Sequence, residues 1–150
     1  MFIISGKYRR RRIQYPKNSP YCRPTKSMVR EAVFNRLQHD IDGAYVLDLC
    51  AGTGAVGLEA LSRGAAHVTF VDTHTKYIKE NCSGLKDDIV IVKKDAFEFI
   101  KSYKKKPFNI IYFDPNWDNN ILYLNTLKHV FDFDILESNG VFICEHQKSY

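Results

Sequence analysis

Two motifs contain the residues best suited to chemistry: a glycine-rich loop and a short acidic turn. The loop, residues 51–57, carries glycines spaced as G-x-G-x-x-G directly after the apolar run 45–49. A Cβ would block both the tight turn and the approach of backbone N–H groups at the positive end of the next helix. The spacing therefore predicts a loop that binds a ligand. The turn, residues 114–117, reads Asp-Pro-Asn-Trp and follows the apolar run FNIIYF.

The loop glycines alone leave two classes of cofactor open. Asp72 ends the next apolar run about 20 residues on, where a dinucleotide site would place a ribose-binding carboxylate. Asp48 precedes Gly52 and Gly54 in a D-x-x-x-G-x-G arrangement. Its charge would attract a cationic amino-acid ligand and repel a pyrophosphate. Asp48 therefore favours the cationic ligand, and a turn-capping role for it is the structural alternative.

The acidic turn suits methylation of an exocyclic base amine. Such an amine is a poor nucleophile because its lone pair is delocalised into the ring. Hydrogen bonds from its N–H groups to Asp114 and to the Pro115 carbonyl would localise that pair for in-line attack on an activated methyl group. Trp117, the single tryptophan, offers a face on which a flipped or unpaired base could stack. A plain exit from the strand and a packing role for Trp117 are the structural alternatives.

Strand and helix patterns alternate along the chain, which predicts a parallel sheet with helices on both faces, an α/β fold. The strands are expected at 45–50, 67–72, 88–93, 108–113 and 140–145, and the helices between them at 55–63, 75–83, 95–103 and 120–130. Ligands of such sheets bind beyond the carboxyl ends of the strands. The carboxylates expected there are Asp48, Asp72, Asp95 and Asp114. The pair Asp95-Ala96 could hold an adenine, with a helix N-cap as the alternative.

The N-terminal part of the chain is strongly basic. Residues 1–36 hold ten Lys and Arg against one acidic residue, whereas the other 114 residues hold twelve basic against sixteen acidic. The segment is predicted to form a hairpin turning near Gly6 and a helix from Lys26 to about Gln38. Such a basic arm predicts contacts with nucleic-acid phosphates, with a solvated basic face or a disordered tail as the alternative. The candidate contacts are Arg9, Arg10, Arg11, Arg12, Arg23, Thr25, Lys26 and Arg30.

Composition bounds the class of protein. The 150 residues and their 45% hydrophobic share suffice for one domain with an ordinary core. No run approaches the roughly 20 apolar residues of a membrane span, and the N-terminus lacks the order of a signal peptide, so a cytoplasmic protein is expected. The four cysteines include no C-x-x-C pair, which argues against a zinc site, and no metal is expected.

Several segments together resemble the bacterial 16S ribosomal RNA guanine-N2 methyltransferases of the RsmD type, within the class I S-adenosylmethionine-dependent enzymes. They are FIISGKYRRRR at 2–12, RPTKSMVREAVFNRL at 23–37, VLDLCAGTGAVGLEALSRGA at 46–65, VTFVD at 68–72, the Asp95-Ala96-Phe97 run, the strand into DPNW, and GVFICEH at 140–146. The resemblance implies one Rossmann-like methyltransferase domain over 1–150, with a basic extension at 1–24 and the core at 25–150.

The resemblance also implies the ligands. S-adenosylmethionine would be the methyl donor, and a guanine in the 16S rRNA of the small ribosomal subunit would be the acceptor. The donor would be bound by Asp48, Gly52, Gly54, Asp72 and Asp95 with Ala96. The acceptor would be engaged by Asp114, Pro115 and Trp117, with Asn116 in the same turn.

The chain departs from the family pattern at two places. The family turn is usually D-P-P followed by Tyr or Phe, whereas this chain has Asn116 and Trp117. Asparagine frees a φ angle that proline would fix, so the Pro115 carbonyl could be less well aimed and activity reduced or absent. The class also usually adds two strands after the fifth, whereas HQKSY follows Glu145, so the sheet is expected to lack them.

Two other functions remain open on the sequence, and a third is rejected. The chain could be a truncated or catalytically impaired RNA-binding relative of these enzymes. It could act on DNA amines, since the turn chemistry does not distinguish adenine, cytosine and guanine. An NAD-linked oxidoreductase rests on the G-x-G-x-x-G spacing alone and fails because the sequence offers no catalytic acid near a nicotinamide site.

Overall fold

The apolar runs of the sequence form a parallel sheet whose strands alternate with helices along the chain. The computed structural model describes residues 1–18, 26–115 and 120–146. Its strands are β1 (Tyr45–Leu49), β2 (His67–Asp72), β3 (Ile89–Lys93), β4 (Phe108–Phe113) and β5 (Leu136–Cys144). Its helices are α1 (Ser27–Arg36), α2 (Ala55–Ser62), α3 (Lys76–Cys82), α4 (Ala96–Ser102) and α5 (Asn120–Asp132). The predicted α/β fold is confirmed.

The strand order places a topological switch point beside β1. The order is β3-β2-β1-β4-β5, and all four pairings are parallel. The chain runs outward from β1 through β2 to β3 and then crosses to β4 on the other side of β1. Ligands of open α/β sheets bind at such a point, beyond the carboxyl ends of the strands. The ends of β1, β2 and β4 therefore define the candidate site.

Helices cover both faces of the sheet because successive strand residues point to opposite sides. On one face, Val46 of β1 packs in a core with residues of α1, α2 and α3. On the other face, Leu47 and Leu49 pack with residues of α4 and α5. In the described part of the chain, no helix is long and apolar enough to cross a membrane. The prediction of helices on both faces is confirmed.

The fifth strand begins earlier than its sequence pattern suggested. β5 starts at Leu136, whereas the prediction placed its start at residue 140. Leu136 pairs with Phe108 and Val141 pairs with Ile110, so the register shifts between these two pairs. The irregular pairing accommodates Asn139-Gly140, whose composition is typical of a turn.

The N-terminal arm, residues 1–18, is packed onto the core. An antiparallel bridge joins Phe2 to Arg12, as the predicted hairpin requires. Ile3 and Ile13 are each 1% exposed and belong to the core on the α2 side of the sheet. At Gly6, with φ of +88°, a Cβ would lie 1.9 Å from the Ser62 carbonyl oxygen, so only glycine permits this approach. The described arm is an ordered part of the domain.

Candidate active site

The glycine loop leaves β1 through a left-handed backbone. Cys50, Gly52 and Gly54 have φ angles of 64°, 61° and 85°, a region that glycine adopts freely and cysteine adopts seldom. The Gly54 N–H donates to the Ala51 carbonyl at 2.9 Å, and α2 begins at the next residue. The loop therefore brings the first N–H groups of α2 to the carboxyl edge of the sheet.

The third glycine of the spacing, Gly57, lets α2 lie against β2. A Cβ on Gly57 would be 2.3 Å from Phe70 Cε1 and 2.9 Å from Val68 Cγ1, distances that real contacts do not reach. The Gly57 N–H also donates to Asp48 Oδ2 at 2.9 Å. This glycine serves packing and orients the carboxylate at the base of the loop.

Asp48 is a buried carboxylate, with only 2% of the residue exposed. Burial raises its pKa well above the usual value, the charges of Asp114 and Asp72 raise it further, and the hydrogen bond from Gly57 opposes the shift. A neighbouring cation would favour the ionised form. The position therefore suits the positively charged part of a ligand.

Backbone N–H groups hold the carboxylate of Asp72 at the end of β2. Its Oδ2 accepts from the Gly52 N–H at 2.8 Å, and its Oδ1 accepts from the His74 N–H at 2.9 Å. The first bond ties the end of β2 to the glycine loop. A carboxylate oxygen carries about two lone-pair sites, so these bonds leave it able to accept from a ligand hydroxyl.

Asp95 and Ala96 begin α4. Asp95 Oδ1 accepts from the Glu98 N–H at 3.0 Å, which is the N-cap bond weighed as the alternative role for this residue. Ala96 is 4% exposed and packs in the core shared with α5. A role for this pair in holding an adenine stays a prediction.

Asp114 and Pro115 lie directly beside the start of the glycine loop. The Asp114 N–H contacts the Leu49 carbonyl at 3.4 Å, and Pro115 is buried. Leu49 is the last residue of β1, so the acidic turn and the loop leave the sheet from neighbouring strands. Asn116 and Trp117 lie outside the described residues, and their predicted roles stay predictions.

The charges of the four aspartates at this edge of the sheet all affect the thiol of Cys50. Burial is the first cause of the raised pKa of its thiol, and the charges of four aspartates raise it further. In order of effect these are Asp72, Asp114, Asp48 and Asp95. The four carboxylates were predicted from the sequence to lie at the same edge of the sheet, and their common effect on Cys50 agrees with that placement. Their functional roles are a separate question.

A tyrosine and a glutamate that the sequence analysis did not single out also belong to this edge. The Tyr112 hydroxyl donates to Glu145 Oε1. Tyr112 is 2% exposed and lies on β4 opposite Asp48, whereas Glu145 directly follows β5. The two residues are 33 positions apart, so only the tertiary fold could reveal the pair.

Some described arginines of the arm are exposed, and one is bonded to the rest of the protein. Arg9, Arg10 and Arg12 are exposed, as is Lys26. Arg11 is partly buried and donates to the carbonyls of Asn81 at 3.2 Å and Ser83 at 2.6 Å. The exposed side chains can reach a polyanion without losing a bond to the protein. Arg23 and Thr25, also predicted as RNA contacts, lie outside the described residues.

The prediction that Arg30 contacts RNA is wrong, because its side chain is 0% exposed. Arg30 Nη1 lies 3.4 Å from Glu59 Oε1, and Nη2 donates to the Phe2 carbonyl at 3.1 Å. The Glu59 carboxylate also accepts from the N–H groups of Ile4 at 2.9 Å and Ser5 at 3.1 Å. Arg30 therefore holds the arm against α2, and the charge count could not distinguish this role from an exposed one.

Comparison with known proteins assigns the family. The model of the family described as Conserved hypothetical protein 95 matches residues 1–150. The chain belongs to this family. A relative in it, the Ribosomal RNA small subunit methyltransferase D of Escherichia coli (strain K12), is 37% identical over 142 residues, which are 92% of this chain. The protein of the same name from Buchnera aphidicola subsp. Acyrthosiphon pisum (strain APS) is 33% identical over 126 residues, or 81% of this chain. The resemblance read from the sequence is confirmed.

A solved structure shares the fold of this chain. The solved structure of yhhF from Escherichia coli superposes with a TM-score of 0.87 at 32% identity, covering 98% of this chain and 81% of that one. The Rossmann-like architecture is thereby confirmed. The chain spans about two thirds of the length of the curated relatives, 65% of the Buchnera protein and 67% of the E. coli protein.

Proposed function

We propose that the chain transfers a methyl group from S-adenosylmethionine to the exocyclic N2 amine of a guanine in the 16S rRNA of the small ribosomal subunit. The observation that carries the proposal is the 3.4 Å contact of the Asp114 N–H with the Leu49 carbonyl, because it brings the acidic turn beside the start of the glycine loop. The family and the names of the relatives support the rRNA substrate. Such a substrate implies a cytoplasmic location.

The residues at the carboxyl edge suit this cofactor. The buried Asp48 would face the cationic amino-acid part, since a nearby positive charge relieves the cost of its burial. Gly52 and Gly54 let the backbone approach the ligand because they carry no Cβ. Asp72 would accept from the ribose hydroxyls, and Asp95 with Ala96 would lie along the adenine. When bound, S-adenosylmethionine supplies a sulfonium-activated methyl group.

Asp114 and Pro115 would prepare the acceptor. The guanine amine would donate its two N–H groups to the Asp114 carboxylate and the Pro115 carbonyl, which concentrates the lone pair on nitrogen. The guanine nitrogen would displace the cofactor sulfur from the methyl group, so that the nitrogen–methyl bond replaces the sulfur–methyl bond and a neutral thioether would remain. The displaced amine proton passes to the Asp114 carboxylate and then to water. Positioning supplies most of the rate, because the methyl group is already activated.

Asn116 and Trp117 complete the proposed acceptor turn. Trp117 would stack on the flipped guanine, an interaction worth about 1 to 3 kcal/mol for a base on an aromatic side chain. Asn116 stands where the family usually has a second proline, so the turn would be less rigid. The orientation of the amine would then depend more on stacking against Trp117 and on the hydrogen bond to Asp114.

The exposed basic side chains would hold the RNA. Arg9, Arg10, Arg12 and Lys26 are exposed and lie on the arm or at the start of α1. Guanidinium groups bind phosphate oxygens in a bidentate manner and stay charged at all working pH values. The arm is fixed to α2, so these contacts would orient the RNA relative to the site.

A methyl-transfer assay tests the proposed function. Small ribosomal subunits lacking the modification are incubated with S-adenosylmethionine labelled in its methyl group, and the modified nucleoside is identified by mass spectrometry. We expect N2-methylguanosine, with a rate that falls at least about 10²-fold in Asp114→Ala. Asp132→Ala, an exposed aspartate at the end of α5, is the matched control and should keep the wild-type rate.

Other outcomes would favour the competing functions. Equal transfer by wild type and Asp114→Ala would remove Asp114 from the mechanism. Calorimetry that shows cofactor and RNA binding without methyl incorporation would identify a catalytically impaired RNA-binding relative. Incorporation into DNA but not into ribosomal subunits would point to the DNA amine methyltransferase.

A further inference from the structure

Glu145 emerges at the edge of the sheet next to Asp114. The Glu145 N–H donates to the Phe113 carbonyl at 3.0 Å, and Phe113 is paired with Cys144 in the parallel register of β4 and β5. Asp114 and Glu145 are each one residue beyond that pair. Alternation of side chains directs both to the face of Tyr112. The hydrogen bond between Tyr112 and Glu145 agrees with this placement.

The buried Tyr112 fixes the Glu145 carboxylate as an acceptor. Burial is the first cause of the raised pKa of Tyr112, followed by the hydrogen bond to Glu145 and the charges of Glu145, Asp114 and Asp48. The phenol therefore stays protonated and donates a hydrogen bond to Glu145 Oε1. The bond from Tyr112 occupies one position of the Glu145 carboxylate, so its other oxygen can still accept a hydrogen bond from a substrate.

The three amino-bearing bases differ at the atom beside the amine. Guanine presents two adjacent kinds of donor, N1–H and the N2 amine. In adenine and cytosine, the ring nitrogen next to the amine carries no proton and is a hydrogen-bond acceptor. Two neighbouring carboxylates match guanine alone, because in the other bases one carboxylate would face a lone pair.

We propose that Glu145 selects guanine by accepting a hydrogen bond from N1–H, while Asp114 accepts from the N2 amine. The inference rests on the proposed function and settles the choice of base that the acidic turn alone left open. A site built to bond a substrate N–H rejects analogues that lack it, because its own polar group is then left unpaired. Tyr112 acts through Glu145 and is a positioning residue.

The base 2-aminopurine tests whether Glu145 recognises the N1 proton of guanine or only a base that carries a 2-amino group. It carries the same 2-amino group as guanine, but its N1 has no proton. After the modified guanosine has been located, RNA with guanine or 2-aminopurine at that position is ligated into small-subunit rRNA and assembled into subunits. Because 2-aminopurine also lacks the O6 of guanine, recognition of N1–H is measured by the change in the kcat/KM ratio of the two bases between wild type and Glu145→Gln.

Three variants complete the experiment. Glu145→Gln keeps the shape of the side chain and can turn an amide N–H₂ group toward an unprotonated N1. Tyr112→Phe removes the hydroxyl that orients Glu145. Glu137→Gln changes a partly buried glutamate at the opposite end of β5 from Glu145 and is the matched control. Cofactor affinity, measured by calorimetry, checks that each variant retains a folded site.

We expect wild type and Glu137→Gln to prefer guanine over 2-aminopurine by at least about 10²-fold. In Glu145→Gln, the rate on guanine should fall at least about tenfold while the rate on 2-aminopurine rises, and Tyr112→Phe should reduce the preference in the same direction. Unchanged preference in Glu145→Gln with normal cofactor affinity would overturn the role of Glu145 and leave the methyltransferase function standing. Absence of transfer by wild type to every RNA would overturn the function itself.

Discussion

Asn81 joins the N-terminal arm to the glycine loop through its side-chain amide, which donates to the Thr53 carbonyl at 2.9 Å. The same nitrogen donates to the Gln14 carbonyl at 2.9 Å, and Oδ1 accepts from the Gln14 N–H at 2.8 Å. Asn81 is 3% exposed, the bond to Thr53 is buried, and the two bonds to Gln14 are partly buried. One residue of α3 thus holds both the segment proposed to bind RNA and the loop proposed to bind the cofactor.

Replacing Asn81 with Ala should loosen both segments. The change leaves the buried Thr53 carbonyl and both polar backbone groups of Gln14 without this partner, so we expect a loss of about 3 kcal/mol in the free energy of unfolding. Affinity for S-adenosylmethionine should fall several-fold because the loop is less well ordered. Urea denaturation and calorimetry measure the two effects.

Asn125→Ala is the control for this change, since Asn125 is an exposed residue of α5. Its unfolding free energy should stay within about 0.5 kcal/mol of wild type. Wild-type stability and affinity in Asn81→Ala would show that the amide bonds contribute nothing.

The contact of Gly57 with Phe70 predicts an epistatic pair. Gly57→Ala places a Cβ at 2.3 Å from Phe70 Cε1, so α2 must move away from β2 at a cost of about 1 to 3 kcal/mol. Phe70→Leu shortens the opposing side chain and should recover part of that cost in the double variant. A double-mutant cycle by urea denaturation measures the coupling. Additive effects of the two changes would contradict a steric origin.

Arg30 and Arg9 should give opposite results although both are arginines of the basic segment. Arg30→Met removes one cation from the buried Glu59 and a donor from the Phe2 carbonyl, whereas Arg63 Nε stays 2.9 Å from Glu59 Oε2, so we expect a loss of about 1 to 3 kcal/mol in the free energy of unfolding. Arg9→Gln changes an exposed side chain and should leave stability within about 0.5 kcal/mol. It should instead weaken RNA binding and reduce the salt dependence by about one unit of slope, as the loss of one phosphate contact would.

Measurement of both properties in both variants is the internal control. Filter binding over a series of salt concentrations gives the slope, and urea denaturation gives the stability. A reduced slope in folded Arg30→Met, with Arg9→Gln unchanged, would restore Arg30 as an RNA contact.

The strand-end aspartates were predictable because they depend on local pattern. Alternating apolar runs define the strands, and each strand's last polar residue then lies at the same edge of the sheet. Arg30 was misread because composition records a charge without its burial. A local signal did exist, since Arg30 lies one helical turn before the buried Phe34 on α1. Its partner Glu59 is 29 residues away, and nothing in the sequence around Glu59 indicates this pairing.

The Tyr112–Glu145 and Asn81–Gln14 contacts could not be predicted in the same way. Tyr112 has the pattern of a buried strand residue, and Glu145 has that of a strand exit. Their meeting depends on the register of β4 against β5, which the irregular start of β5 shifts. Register of this kind is set by packing over the whole sheet.

Asp48→Asn should increase stability at neutral pH and abolish cofactor binding. The raised folded-state pKa of Asp48 means that its ionisation, disfavoured chiefly by burial, destabilises the folded protein. Asparagine keeps an oxygen for the Gly57 N–H without the charge, so the variant should be more stable at pH 7 to 8 by about 1 kcal/mol or more. The loss of negative charge should at the same time remove attraction for a cationic ligand.

The difference in unfolding free energy between Asp48→Asn and wild type should depend on pH. The folded protein holds a proton on Asp48 up to a higher pH than the unfolded chain, whose aspartates titrate near about 3.9. As the pH falls through the folded-state pKa toward about 3.9, wild type binds that proton and regains stability, so the advantage of Asp48→Asn should shrink. Urea denaturation of both proteins across this range measures it, with Asp132→Asn as the exposed control. An advantage for Asp48→Asn that grows on acidification would mean that the carboxylate is stabilised in its ionised form.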